Sequence, residues 1–158
     1  MSELSQAPLN EMLAWQGGKL SELIHYVSRN SRFYREMFER NGIVAGDIRQ
    51  VADLARLPFT TKDDLAAHNE DFLCVPRSRV ADYVTTSGTL SDPVAFYLTD
   101  ADIERLAANE AASFRLAGGG PGDVYQLMTT IDRRFMAGLA YWMGARKLGA
   151  GMIRVGPG

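Results

Sequence analysis

The sequence has little of what metal-binding and disulfide-stabilised proteins need. Its 158 residues include one cysteine and two histidines. The single cysteine, Cys74, excludes an internal disulfide and is typical of a reducing compartment. His25 and His68 lie far apart along the chain and, with one cysteine, do not make up the usual ligand set of zinc. We therefore expect no metal site formed by this chain alone.

The chain also lacks an excess of positive charge and long apolar runs. A net charge of −2 and a pI near 5.7 argue against nucleic acid or an anionic membrane surface as the main partner. No apolar run approaches the roughly 18 residues that a membrane helix needs. The N-terminus, MSELSQAPLNEM, lacks the basic and then apolar pattern of a signal peptide. We therefore expect a cytoplasmic protein with neither a membrane nor a nucleic-acid partner.

The two halves of the chain predict different kinds of structure. Up to about residue 78, apolar residues recur at helical spacing, with Gly17-Gly18 as a weak point of the first helix. One short helix is expected to begin at Asp47 and to stop before Pro58. From residue 79, strands and helices alternate, which is typical of a parallel sheet covered by helices. We expect a helical region over 1–78 and an α/β domain over 79–158 whose sheet is incomplete at the end of the chain.

A dense group of hydroxyl side chains surrounds one glycine between two predicted strands. Segment 84–99, VTTSGTLSDPVAFYLT, places Thr86, Ser87 and Thr89 around Gly88. The polar turn of an ordinary β-hairpin has this composition. Hydroxyls and exposed backbone N–H groups also donate to phosphate oxygens, and glycine lets the main chain approach closely. The residues alone leave both interpretations open, although the absence of GxxxxGK[ST] excludes a Walker A loop.

A second candidate site follows the strand predicted at VYQLMTT. Segment 129–142, TTIDRRFMAGLAYW, lies where open α/β sheets usually place ligand contacts. Phe135 either borders a ligand there or belongs to the core of the following helix. Arg133 and Arg134 either meet a carboxylate or phosphate or remain solvated beside Asp132.

Five segments match, or fall in the same places as, the sequence motifs of one enzyme family. Segment 86–93 matches Thr-Ser-Gly-Thr-Thr-Gly-x-Pro, with Leu90 and Ser91 in place of a threonine and a glycine. SRFYREMFERNGI matches an early Asn-Ser-x-Phe-Tyr-Arg helix, and DLARLPFTTKDDL matches an Asp-Leu-x-x-Leu-Pro-Phe-Thr-Thr-Lys-x-Asp-Leu tract. Gly122-Asp123 and GARKLGAG also fall where that family has similar pieces. Through these matches, over most of residues 21–158, the chain resembles the N-terminal part of the phenylacetate–CoA ligase family of adenylate-forming enzymes.

The resemblance implies a ligase that uses ATP, Mg²⁺ and CoA. A carboxylic acid is activated as acyl-AMP and then transferred to the CoA thiol. The implied phosphate-binding residues are Thr86, Ser87, Gly88, Thr89 and Ser91. The implied acyl pocket contains Phe135, Ala137 and Gly138, which match a Phe-x-Gly-Gly motif and favour an aryl or arylacetic acid. The resemblance assigns no catalytic residue within this chain.

The resemblance also sets the expected domain content and leaves two alternatives open. Residues 79–158 correspond to the first part of an AMP-binding domain, so we expect the chain alone to be inactive. One alternative is an acyl-adenylate ligase that delivers to an acceptor other than CoA. The other is a non-catalytic module that binds a partner, or forms a homodimer, through its helical face.

Overall fold

Contacts divide the chain into two compact units that meet in sequence between Pro76 and Arg77. The computed structural model describes residues 7–85, 94–132 and 134–157. Within these ranges the first unit contains helices, and the second contains the strands together with two long helices. The assignment of residues 1–78 and 79–158 as domains stays a prediction.

The first unit is a succession of α-helices and 3₁₀ turns, and the apolar spacing predicts its helical character. Its α-helices are α1 (Leu9–Asn30), α2 (Arg32–Arg40) and α3 (Lys62–Ala67), and its 3₁₀ turns are Ala45–Asp47, Val51–Arg56 and Asn69–Phe72. The single helix predicted from Asp47 to Pro58 is wrong. The carboxylate of Asp53 accepts hydrogen bonds from the backbone N–H groups of Arg49 (2.9 Å) and Gln50 (3.1 Å). Because these bonds cap a turn at Gln50, the next helical turn begins at Val51, and it is the 3₁₀ turn Val51–Arg56.

The glycine pair does not interrupt α1, which is continuous over 22 residues. A Cβ on Gly17 would lie 2.7 Å from the carbonyl oxygen of Arg49, whereas a Cβ on Gly18 would meet no atom within 4 Å. Gly17 therefore lets the backbone before Val51 approach the helix. That contact explains the glycine that the sequence pattern marks as a weak point.

Ser31 connects three helical elements of the first unit. The residue is fully buried, and its hydroxyl donates a hydrogen bond to the carbonyl oxygen of Asp71 (2.8 Å). The same oxygen accepts a hydrogen bond from the backbone N–H of Tyr34 (3.3 Å), which caps the start of α2. The apolar core around this junction consists of Ile24, Phe33, Met37, Phe38 and Ile48.

The second unit contains an antiparallel hairpin and a parallel strand pair. The hairpin strands are β1 (Asp82–Thr85) and β2 (Ala95–Leu98), with Thr85 opposite Ala95. The parallel strands are β3 (Val124–Leu127) and β4 (Gly151–Arg154), with Val124 opposite Gly151. The helices α4 (Asp100–Leu116) and α5 (Met136–Leu148) connect β2 to β3 and β3 to β4. The mixed α/β class predicted from the alternation of strands and helices is thus confirmed.

Helices α4 and α5 pack closely because small residues line their contact. Ala107 and Ala111 of α4 and Ala145 of α5 are buried, and a Cβ on Gly144 would overlap the Cβ of Glu110. Within the described ranges, none of the helices has both the length and the apolar character needed to cross a membrane.

A capping box fixes the start of α4. The backbone N–H and the hydroxyl of Thr99 donate to the carboxylate of Asp102 at 2.9 and 2.8 Å. The backbone N–H of Asp102 donates in return to the hydroxyl oxygen of Thr99 (3.3 Å). Burial by itself raises the pKa of the Asp102 carboxyl. The hydrogen bonds from Thr99 and the nearby charge of Arg105 outweigh that effect and hold the pKa below its usual range.

Candidate functional site

The described residues on either side of segment 86–93 lie side by side on the antiparallel hairpin. The backbone N–H of Ala81 donates to the carbonyl oxygen of Leu98 (2.8 Å) at one end, and Thr85 faces Ala95 at the other. The prediction that two neighbouring strands flank the segment is confirmed. The predicted phosphate-binding residues Thr86, Ser87, Gly88, Thr89 and Ser91 lie outside the described residues, and their role stays a prediction.

The last residue of β1 contacts the second candidate segment directly. The backbone N–H of Thr85 donates to the carbonyl oxygen of Arg134 (3.0 Å), and Thr85 also forms a parallel β-bridge with Phe135. Phe135 is in turn the residue that precedes the first turn of α5. The structure therefore brings Thr85, the residue that precedes segment 86–93 in the sequence, next to Phe135, which the resemblance assigns to the acyl pocket.

Phe135, Ala137 and Gly138 are adjacent at the start of α5 but differ in their surroundings. Phe135 and Ala137 are half-buried, and Gly138 is buried. A Cβ on Gly138 would overlap the carbonyl oxygen of Thr130 and would lie 3.2 Å from the Cα of Ile131. Gly138 thus lets the preceding loop cross the first turn of α5. This packing explains a glycine at position 138, and the assignment of the three residues to an acyl pocket stays a prediction.

The backbone of Arg134 is a feature that sequence reasoning missed. Its φ is 61°, in the left-handed region that side chains disfavour. The sequence gives no signal for this turn, because arginine is not a residue type that marks left-handed backbone. The side chain itself is exposed.

The remaining reactive side chains have structural partners. Burial raises the pKa of the Cys74 thiol, whose Sγ donates to the carbonyl oxygen of Phe72 (3.6 Å), and a protonated thiol is a poor nucleophile. Nδ1 of His25 lies 2.8 Å from the carbonyl oxygen of Ser21 on the same helix. His68 lies against the ring of Phe33, with 5.7 Å between centroids. Across the described part of the chain, no three His, Cys, Asp or Glu side chains are grouped so as to hold a metal ion.

The first unit also has an apolar groove of about 470 Å³ between α1, α2 and the segment that follows the Val51–Arg56 turn. Leu23 and Leu54 are each about half exposed at the groove, and Phe59 is 94% exposed. The phenol of Tyr34 lies 3.4 Å from the hydroxyl of Thr60 at the same groove. The residues that line the groove are Leu20, Leu23, Ile24, Val27, Tyr34, Met37, Phe38, Leu54, Leu57, Pro58, Phe59 and Thr60.

Solved structures place the fold among the acyl-CoA ligases. A crystal structure of 2-hydroxyisobutyryl-CoA ligase in complex with 2-HIB-AMP and CoA, in the thioesterification state, matches 96% of this chain with a TM-score of 0.88 and 28% identity. A second structure of that ligase, in the postadenylation state with 2-HIB-AMP, matches 96% of the chain with a TM-score of 0.87 and 26% identity. The matched region is 33% and 32% of those two chains. The structure is therefore that of an N-terminal portion of an adenylate-forming ligase.

Among the acyl-CoA ligases, the curated relatives of this chain are phenylacetate-coenzyme A ligases. The phenylacetate-coenzyme A ligase of Aromatoleum evansii is 32% identical over 100% of this chain, and that of Escherichia coli (strain K12) is 31% identical over 100%. In both cases the match covers 36% of the relative, so the chain spans about a third of the length of these proteins. No protein-family model matches the chain. The resemblance to the phenylacetate–CoA ligase family is confirmed, and the chain corresponds to an N-terminal portion of such a ligase.

Proposed function

We propose that the chain is the N-terminal portion of an ATP-dependent acid–thiol ligase that converts a carboxylic acid to its CoA thioester. The proposal depends chiefly on one observation, the contact of Thr85 with Arg134 and Phe135. This contact joins Thr85, which precedes the predicted phosphate-binding segment 86–93 in the sequence, to the start of α5, where the residues of the predicted acyl pocket lie. A ligase of this kind needs phosphate and acid held next to each other, because the carboxylate oxygen must reach the α-phosphorus.

The proposed reaction has two steps. A carboxylate oxygen attacks the α-phosphorus of Mg–ATP, the bond from that phosphorus to the bridging oxygen breaks, and pyrophosphate leaves. The thiolate of CoA then attacks the acyl carbon, the bond from that carbon to the AMP oxygen breaks, and AMP leaves with the thioester formed. Mg²⁺ enters with ATP as part of the substrate. A cytoplasmic location, where ATP and CoA are present, is part of this proposal.

In this proposal the chain contributes positioning and charge stabilisation. The hydroxyls of Thr86, Ser87, Thr89 and Ser91 and the backbone at Gly88 donate to the phosphate oxygens of ATP. Phe135, beside Ala137 and Gly138, borders the acyl group, and a flat aromatic ring packs well on such a wall. We therefore propose an aryl or arylacetic acid as the substrate. Preference for long-chain acids over arylacetates and benzoates in a substrate panel would contradict that choice.

The phosphate role is tested on the chain itself. We expect Mg–ATP, added during an NMR titration, to shift the amide signals of Thr85 and its neighbours along segment 86–93. Gly88→Val should abolish these shifts, because a side chain at that position blocks close approach of the backbone to phosphate. The control is Gly46→Val, since a Cβ on Gly46 would meet no atom within 4 Å. Equal shifts in both variants and the wild type would contradict the assignment.

Catalysis is tested separately by ATP–pyrophosphate exchange with arylacetates. We expect the 158-residue chain to show no exchange, because adenylation needs adenine, ribose and the transferring phosphoryl group to be held together. A longer product of the same gene should show exchange. Exchange by the pure chain at the rate of the longer protein would mean that the site is complete without further residues.

A second candidate function is non-catalytic self-association through the apolar groove of the first unit. The observation that favours it is the 94% exposure of Phe59 beside the half-exposed Leu23 and Leu54. Sedimentation velocity distinguishes the two functions. Phe59→Ser should dissociate such a dimer, whereas Val44→Ser, at a 61% exposed position outside the groove lining, should not. A wild-type chain that remains monomeric at high concentration would eliminate this candidate.

A further inference from the structure

Arg134 has a conformation that its side chain does not favour. Among the non-glycine residues that the structure describes, it is the one with a positive φ, 61°. A side chain in the left-handed region crowds its own backbone, and residues held there are concentrated at functional sites. The surrounding contacts must therefore hold Arg134 in place.

The left-handed turn joins two elements at one point. The carbonyl oxygen of Arg134 accepts the hydrogen bond from the backbone N–H of Thr85 (3.0 Å). The next residue, Phe135, pairs with Thr85 in a parallel bridge, and its N–H donates to the carbonyl oxygen of Asp132 (3.2 Å). Helix α5 begins immediately afterwards, at Met136. The end of β1 is thus fixed against the start of α5 by backbone groups.

We propose that Arg134 is a positioning residue that acts through its backbone conformation. Its left-handed turn holds Thr85, the residue that precedes segment 86–93 in the sequence, at a fixed place relative to Phe135. This inference rests on the proposed function, in which segment 86–93 binds the phosphates and Phe135 borders the acid. The effect of a substitution at position 134 then depends on how well the new residue tolerates a positive φ. Loss of the guanidinium charge by itself has little effect.

Four variants separate the backbone role from the charge. Arg134→Gly and Arg134→Asn remove the charge but tolerate positive φ, whereas Arg134→Val removes the charge and strongly disfavours that conformation. Arg134→Thr is a smaller β-branched change of the same kind and serves if the valine variant does not fold. The matched control is Arg154→Val at an exposed position of β4, where a β-branched residue suits the extended backbone.

Amide hydrogen exchange of Thr85, followed by NMR, gives the first measurement. We expect exchange about tenfold faster in Arg134→Val, about fivefold faster in Arg134→Thr, and at most about twofold faster than the wild type in the glycine, asparagine and Arg154→Val variants. The internal reference is the N–H of Ala81, bonded to Leu98 at the opposite end of the hairpin. The Ala81 rate should stay unchanged, because only one end of the hairpin is released.

Three results overturn the proposal. Unchanged exchange of Thr85 in the valine and threonine variants would show that the left-handed turn does not hold the strand. Equal acceleration at Ala81 and Thr85 would indicate general destabilisation. Acceleration of Thr85 in the glycine and asparagine variants would assign the effect to the lost guanidinium group.

Titration with inorganic pyrophosphate links the junction to phosphate binding. We expect the glycine and asparagine variants to bind pyrophosphate like the wild type and the valine variant to bind about tenfold more weakly. Equal weakening in all three would show that the charge of Arg134 acts instead of its backbone. If the wild type shows no response, the proposed phosphate role fails. The exchange rates of Thr85 then decide by themselves whether Arg134 positions the strand.

Discussion

Replacing Gly138 with alanine separates packing at the start of α5 from a role in the acyl pocket. Within a helix, alanine is normally favoured over glycine by about 1 kcal/mol. At position 138, however, the new Cβ would overlap the carbonyl oxygen of Thr130 and would lie 2.8 Å from its carbonyl carbon and 3.2 Å from the Cα of Ile131. All three atoms belong to the backbone, so no side-chain rotation relieves the overlap.

The expected magnitude follows from these opposing effects. Forced overpacking costs about 2–3 kcal/mol, and the helix preference for alanine offsets about 1 kcal/mol of it. We therefore expect Gly138→Ala to lower the free energy of unfolding of the second unit by about 1–2 kcal/mol. The control is Gly18→Ala in α1, where a Cβ would meet no atom within 4 Å. That variant should be more stable than the wild type by about 0.5–1 kcal/mol.

Urea denaturation followed by tryptophan fluorescence measures both changes. The chain has two tryptophans, Trp15 in α1 and Trp142 in α5, so each unit has its own probe. A Trp15→Phe background isolates the signal of Trp142, and a Trp142→Phe background isolates that of Trp15. A Gly138→Ala protein as stable as the wild type, or more stable, would refute the packing argument. If Gly138→Ala also abolished activation of the carboxylic acid in any longer product of the gene, the role of Gly138 would lie in the acyl pocket and not in packing.

Two further predictions concern single hydrogen-bonded side chains. Ser31→Ala should destabilise the first unit by about 1–2 kcal/mol in urea denaturation, because it removes both a helix cap and a buried hydrogen bond to Asp71. In the control Ser28→Ala, the lost hydroxyl bonds only within α1, so stability should change by less than about 0.5 kcal/mol. Equal effects of the two substitutions would contradict the junction role of Ser31. Asp102→Asn should cost about 1 kcal/mol at pH 7, measured by thermal unfolding. Since the folded pKa of Asp102 lies below its unfolded value of about 3.9, its stabilisation is present above that pH and is lost as the pH falls through the folded pKa. The difference from the asparagine variant should therefore shrink in acid, and a difference that grows below pH 4 would contradict this sign.

Several local structures followed from residues close together in the sequence. Capping boxes at Thr61–Asp64 and Thr99–Asp102 mark the starts of α3 and α4, and a sequence displays such a cap because its two residues are only three positions apart. The alternation of strands and helices after residue 79 likewise predicted the parallel pairing of β3 with β4 across α5, but not the antiparallel pairing of β1 with β2. The order of the motifs also predicted the relationship to phenylacetate–CoA ligases. These features depend on short spacing or on motif order, which a sequence displays directly.

Tertiary structure decided the features that depend on residues distant in sequence. Gly17 looked like a weak point of α1, but it is where the backbone of Arg49 crosses the helix. The resemblance assigns Gly138 to an acyl pocket, which stays a prediction, and the structure adds a packing contact with Thr130. The left-handed turn at Arg134 had no sequence signal, because arginine does not mark such backbone and the residue bonded to its carbonyl oxygen, Thr85, lies 49 positions earlier in the chain. Local propensity reports what a residue prefers, whereas close backbone approach and a disfavoured φ are imposed by partners that only the folded chain brings together.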